Sequence, residues 1–172
     1  MKLKLAALSF FLFAGNAFAD TTVQMNLVDA SGVGASIGQI TIAESRYGLV
    51  FSPSLKGLPP GPHGFHVHEN PGCGPKEKEG KMVPALAAGA HYDPLEAKHH
   101  GAPWTDGHVG DLPALLVDAA GNADQPVLAP RLTAADIAGR SLMLHAGGDN
   151  YADLPTPLGG GGTRMACGVI NK

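Results

Sequence analysis

The chain has 172 residues, with 24 Gly, 14 Pro, eight His, two Cys and a formal charge of −3. That length suits one compact domain with a real core. An apolar share of 44% against 16% charged residues excludes a disordered chain, and a net negative charge without a basic run argues against nucleic acid as a partner.

Residues 1–19 read as a secretory signal peptide. Lys2 and Lys4 form a short positive region, Leu5 to Phe13 an apolar one, and Ala17-Phe18-Ala19 a small-residue cleavage site. Cleavage after Ala19 is expected, with a short N-terminal membrane anchor as the alternative. Loss of Lys2 and Lys4 leaves ten basic against fifteen acidic residues, a charge of −5 on Asp20 to Lys172. No later apolar stretch is long enough to span a bilayer, so no membrane association is expected after cleavage. In an exported chain, the two cysteines Cys73 and Cys167 form one disulfide by default, two free thiols being the alternative. Closing a loop of roughly 95 residues sets a stabilisation ceiling of roughly 4–5 kcal/mol by loop entropy.

The body reads as all-β. Thr22 to Val28 alternates, with Val23, Met25 and Leu27 on one expected face. Further short strand candidates are 37–43, 49–55, 64–69, 112–117, 127–132, 141–146 and 165–170. Asp29-Ala30-Ser31-Gly32 and Asp118 to Asn122 are turn signals. Thr133 to Asp136 fits a capping box for one helical turn, which Gly139 would end. The expectation is an eight-stranded Greek-key β-barrel or sandwich with two long functional loops, residues 70–110 and 147–163. Gly159 to Gly162 lacks the Lys and Ser/Thr of a phosphate-binding loop.

All eight His fall between His63 and His145. His66-Val67-His68 places two imidazoles on one face of a strand, within reach of one ion. His91, His100, His108 and Asp111 follow at short intervals, a plausible tetrahedral zinc set. His145 lies in an apolar run, where a lone His is usually core; with so many other His to meet it reads as a ligand. Two four-coordinate ions need eight ligands, and these seven residues suffice if one imidazole bonds through both nitrogens. An imidazole-rich set suits Cu, Zn or Fe.

Gly64 to Glu69, His91-Tyr92-Asp93-Pro94, Gly107 to Pro113 and the ending Gly159 to Ile170 resemble copper/zinc superoxide dismutase, over essentially the whole exported chain. The signal peptide, Trp104 and the run Leu144 to Asn150 are similar to its bacterial periplasmic branch. The resemblance implies that His66, His68, His91 and His145 bind copper and that His91, His100, His108 and Asp111 bind zinc, one ion of each per subunit, with His91 as the bridge. It implies that Asp149 links His66 to His100 through their other ring nitrogens, that Cys73 pairs with Cys167 near Arg164, and that Arg164 receives an anionic substrate. The bland readings are a turn-capping Asp149 and a surface Arg164. Of the neighbours His99 and His100, the bacterial spacing selects His100. His63 fits no ligand position and reads as a surface or loop residue.

The implied reaction oxidises one superoxide to O₂ and reduces another to hydrogen peroxide at a redox-cycling copper, with Arg164 and His91 as the catalytic residues. His91 takes and returns a proton. A charge of −5 repels superoxide, so local positive potential must draw it in. Lys76, Lys78 and Lys81 are candidates for this, unless Glu77 and Glu79 cancel them. Rival readings are an inactive copper/zinc-binding module, a copper-only enzyme and a structural zinc sandwich. A homodimer is expected over a monomer, with Trp104 as a candidate interface anchor.

Overall fold

The computed structural model describes residues 20–171; the expected signal peptide lies outside them. Among the described residues the strands are β1 (Thr21–Asp29), β2 (Gly32–Ser45), β3 (Gly48–Leu55), β4 (Gly61–His63), β5 (Phe65–His68), β6 (Lys76–Lys78), β7 (Lys81–Val83), β8 (Leu115–Val117), β9 (Val127–Ala129), β10 (Ser141–His145) and β11 (Arg164–Val169). A single helical turn, α1 (Ala134–Ile137), precedes β10. Its capping box forms as expected, with Thr133 N–H and Oγ1–H both donating to Asp136 Oδ2, at 2.8 and 2.7 Å.

Seven strands form one antiparallel sheet in the order β5-β10-β11-β1-β2-β3-β9. The neighbours β5–β10, β11–β1 and β3–β9 are distant in sequence, which is the Greek-key pattern. Phe51 of β3 and Phe65 of β5 lie near opposite ends of this order, yet their rings meet edge-on with centroids 5.7 Å apart. The sheet therefore curls into a barrel around a core that includes Met25, Ile40, Leu49, Leu112 and Leu144.

Two local expectations are corrected, and one short strand is new. Leu27 does not share the inward face of Val23 and Met25: it is 37% exposed and Val28 is buried instead. The register of β1 on β2 shifts on both sides of Asn26, and such a bulge reverses the alternation. The stretch 70–110 is not wholly irregular, because β6 and β7 form a hairpin there. Its Lys- and Glu-rich sequence carries no apolar alternation to announce it. The three-residue β4, Gly-Pro-His, pairs with β8 and was equally silent.

Strands β5 and β10 are buried along their whole length. Phe65, Val67, Leu142 and Leu144 face the barrel core. Alternation turns His66, His68, Met143 and His145 to the outer face, where the two long loops cover them. Beneath the first loop lies a second apolar cluster of Val28, Cys73, Ala85, Ala88, Met143 and Cys167. It contains the disulfide Cys73–Cys167, with Cα atoms 5.7 Å apart.

Candidate dinuclear metal centre

The first donor set stands on the outer face of the barrel wall. β5 carries His66 and His68, β10 brings His145 alongside, and an isolated bridge between His68 and His91 adds the fourth imidazole. Donor nitrogens of the four, all buried, lie within 4.8 Å of one another. Three of these rings spend one nitrogen on a fixed acceptor. His66 Nε2–H donates to Asp149 Oδ2 at 2.8 Å, His68 Nδ1–H to Gly89 O at 3.0 Å, and His145 Nδ1–H to Gly162 O at 3.2 Å. The remaining nitrogens, His66 Nδ1, His68 Nε2 and His145 Nε2, are buried without a hydrogen-bond partner, as is His91 Nε2. Buried polar atoms are normally paired; four bare lone pairs converging on one point fit a metal ion. Burial, with His91 close enough to disfavour a second positive charge, holds the pKa of His66 and His68 well below the usual value. Burial likewise lowers His145 to about 4. All three are thus neutral at pH 7, the form that ligates.

The second set gathers around Asp111. His91 Nδ1 lies 2.9 Å and His100 Nδ1 3.0 Å from Asp111 Oδ1, and His108 Nδ1 lies 3.3 Å from Oδ1 and 3.2 Å from Oδ2. Four ligands on a tetrahedral zinc with bonds near 2.0–2.1 Å stand roughly 3.3 Å apart, so this spacing fits. His100 Nδ1 lies 3.0 Å from Asp111 Oδ1 without a well-aligned hydrogen bond, so a proton carried there in the metal-free fold is held by the charge of the carboxylate and can be displaced by a cation. The four that lie within 4.8 Å of one another here are His66, His91, His100 and Asp111; His66 Nε2 is held by Asp149, and His108 Nδ1 stands beside the group against both oxygens of Asp111. His91 thus presents one nitrogen to each set. Outer contacts hold the second set: Asp149 Oδ1 accepts His100 Nε2–H at 2.8 Å, and Asp111 Oδ2 accepts Gly101 N–H at 3.0 Å. Burial opposes ionisation of Asp111 and Asp149, but hydrogen bonds from the surrounding histidines hold both carboxyls well below their usual range. Burial also opposes a charge on His100, yet Asp111 and Asp149 outweigh it and raise His100 to about 9. The pocket is built for a cation.

Both sets open on a cleft of about 680 Å³ whose lining includes His68, His91, His108, His145, Lys78 and Arg164. The half-buried guanidinium of Arg164 donates to Ala85 O at 2.7 Å and to Gly89 O at 2.6 Å. The disulfide ties β11, which carries Arg164, to the loop that supplies both carbonyls.

The structure brings His66, His68, His91, His100, His108, Asp111, His145, Asp149 and Arg164 together. His99 turns away, with Nδ1 on Ala97 O at 2.9 Å and Nε2 3.3 Å from Asp106. The surface reading of His63 is corrected: it is 3% exposed, and its Nδ1 and Nε2 each lie 2.8 Å from a carbonyl oxygen, of His145 and Pro59. Short loop connections conceal such burial. Two positioning contacts also escaped sequence reasoning. Asp153 Oδ2 accepts the backbone N–H of His100 at 2.9 Å. Arg131 donates to Gly107 O at 2.9 Å and His108 O at 3.4 Å. Both act on backbone atoms, so residue type gives no signal of them.

A Greek-key barrel with two adjoining donor sets that share one imidazole defines a dinuclear metalloprotein. The family model described as copper/zinc superoxide dismutase matches residues 36–170. A superoxide dismutase [Cu-Zn] of Actinobacillus pleuropneumoniae is 51% identical, covering 99% of this chain and 100% of its own. The structure of a Cu/Zn superoxide dismutase from Brucella abortus is 55% identical, with a TM-score of 0.87, covering 89% of this chain and 100% of that one. A monomeric copper, zinc superoxide dismutase from Salmonella enterica gives a TM-score of 0.80 at 55% identity over the same shares. The chain belongs to the copper/zinc superoxide dismutase family.

Proposed function

We propose that the chain dismutates superoxide to O₂ and hydrogen peroxide, with copper held by His66, His68, His91 and His145 and zinc by His91, His100, His108 and Asp111. The observation that carries this reading is His91, with one nitrogen in each donor set, facing the same cleft as Arg164. Copper when bound supplies the one-electron couple that takes an electron from one superoxide and gives it to another, while zinc is structural.

The chain's own residues supply the rest. Arg164, pinned by two carbonyls, leaves guanidinium N–H groups to receive an anion beside His68 and His145. His91 holds and returns a proton at Nε2. Asp149 fixes one imidazole of each set through its two oxygens. An inactive metal-binding module has no need of Arg164 beside a complete imidazole set, so catalysis is the better reading.

Metal analysis of the copper- and zinc-loaded protein with a superoxide-consumption assay tests this. One copper and one zinc per chain with rapid consumption are expected. Failure to bind copper, or full activity after His145→Ala, overturns it.

The disulfide fits an exported protein. The reading extends to a signal peptide cleaved after Ala19 and a periplasmic destination, which the N-terminal sequence of the mature protein tests. Trp104, 68% exposed, is the candidate anchor of a homodimer, but the Salmonella relative is described as monomeric. Sedimentation of the mature protein decides this.

A further inference from the structure

Gly89 O serves both halves of the cleft. It accepts Nδ1–H of His68 at 3.0 Å and Nη2–H of Arg164 at 2.6 Å. The N–H of the same planar peptide group belongs to Ala90, and it donates to Glu69 Oε2 at 3.1 Å. Glu69 is itself pinned: its own N–H donates to Ala90 O at 3.0 Å, and Arg140 Nη1–H donates to its carbonyl at 2.9 Å. Gly89 has φ +78, and a Cβ there would collide with Glu69 Oε2 and lie 2.6 Å from Asn70 Nδ2. The Glu69 carboxylate thus closes over this peptide at a position that only glycine fills without strain.

We propose that Glu69 is a positioning residue for the catalytic centre, acting through the Gly89–Ala90 peptide on both His68 and Arg164. A peptide group is a rigid plate, so holding its N–H sets the direction of its oxygen. A carboxylate on the N–H also polarises the plate, and hydrogen bonds in series strengthen one another. A stronger acceptor at Gly89 O draws on Nδ1–H of His68 and raises the basicity of its Nε2, the nitrogen bared towards the first donor set. The same oxygen fixes the guanidinium of Arg164. Glu69 touches neither substrate nor donor atom.

The proposal rests on the reading of the first donor set as a copper site, so its test separates the two. Glu69→Ala and Glu69→Gln are compared with wild type for azide affinity at Cu(II), for the copper reduction potential, and, in the metal-free disulfide-bonded protein, for exchange of the Ala90 amide and the His68 Nδ1 proton. In Glu69→Ala both protons exchange faster. Azide binds about three- to tenfold more weakly, less than the 10–100-fold typical when a direct partner of a metal ligand is lost. The potential moves positive, because a poorer donor at His68 favours Cu(I). Glu69→Gln keeps an acceptor oxygen, so its Ala90 amide stays protected, with a smaller positive shift in potential. Unchanged exchange of both protons in metal-free Glu69→Ala overturns the proposal whether or not the protein takes copper. So do azide affinity and potential equal to wild type in both variants. Failure of wild type to bind copper overturns the copper assignment instead.

Discussion

Gly159 leaves the space that Asp149 occupies. A Cβ on Gly159, whose φ is +70, would fall on Oδ1 of Asp149 and 2.8 Å from Nε2 of His100. One carboxylate spans a histidine of each donor set only because residue 159 has no side chain. Gly159→Ala is expected to weaken retention of both metals about 10–100-fold, with a smaller effect on the metal-free fold. Metal loss to a chelator, set against thermal unfolding of the metal-free protein, checks this. Unchanged retention of both ions would reject it.

Arg164 offers a different separation. Arg164→Ala keeps every metal donor and removes the anion-receiving group, so kcat/KM for superoxide should fall about 10–100-fold at unchanged copper content. Arg164→Lys should lie between, since an ammonium cannot span Ala85 O and Gly89 O as the planar fork does. Pulse radiolysis measures the rates; a fall matched by copper loss would point to damage rather than docking.

The two donor sets should differ in proton release. His100, raised from 6.5 to about 9, carries a proton at pH 7 in the metal-free fold. Its stabilisation is full below the ordinary value and is lost as pH rises through about 9. His145, lowered to about 4, has the opposite sense: its contribution is present above 6.5 and is lost as pH falls through about 4. Zinc binding at pH 7 therefore expels a proton from His100, whereas His66, His68 and His145 take copper already neutral. Calorimetry in buffers of different ionisation enthalpy reads this; zinc uptake at pH 7 without proton release would contradict it.

The β6–β7 hairpin sharpens the steering question. Lys76 pairs with Val83 and Lys78 with Lys81, so all four share one face, and Glu77 pairs with Met82 on the other. Lys78 and Val83 line the cleft. Lys78→Gln should slow superoxide consumption at low ionic strength and flatten its salt dependence, while Glu77→Gln changes little. An unaltered salt dependence in Lys78→Gln would end the steering idea.

Replacing both Cys73 and Cys167 by Ser should cost up to roughly 4–5 kcal/mol of stability by loop entropy. It should also loosen Arg164, because Ala85, whose carbonyl anchors it, packs in the same cluster as the disulfide. Denaturant unfolding measures the first effect and azide affinity the second.

The sequence carried the strand alternation, the His-x-His pair, the one possible disulfide and the motifs that align His91, His100, His108, Asp111, Asp149 and Arg164. It could not carry the phase of β1, which a bulge reverses at Asn26, nor the burial of His63 between two carbonyls. Arg131, Asp153 and Glu69 act on backbone groups, where any suitably placed donor or acceptor serves, so their residue types announce nothing.

By itself the sequence determined which donor atoms exist, and its count of seven candidate residues allows two four-coordinate ions if one imidazole is shared. Only the tertiary structure decided which nitrogen of each ring faces which donor set. An imidazole has two nitrogens of nearly equal donor power, and the hydrogen bond that occupies one is what leaves the other free. His66, His68, His100 and His145 are each oriented by that partner, and His91 has Nδ1 against Asp111 on one side and Nε2 towards the first set on the other.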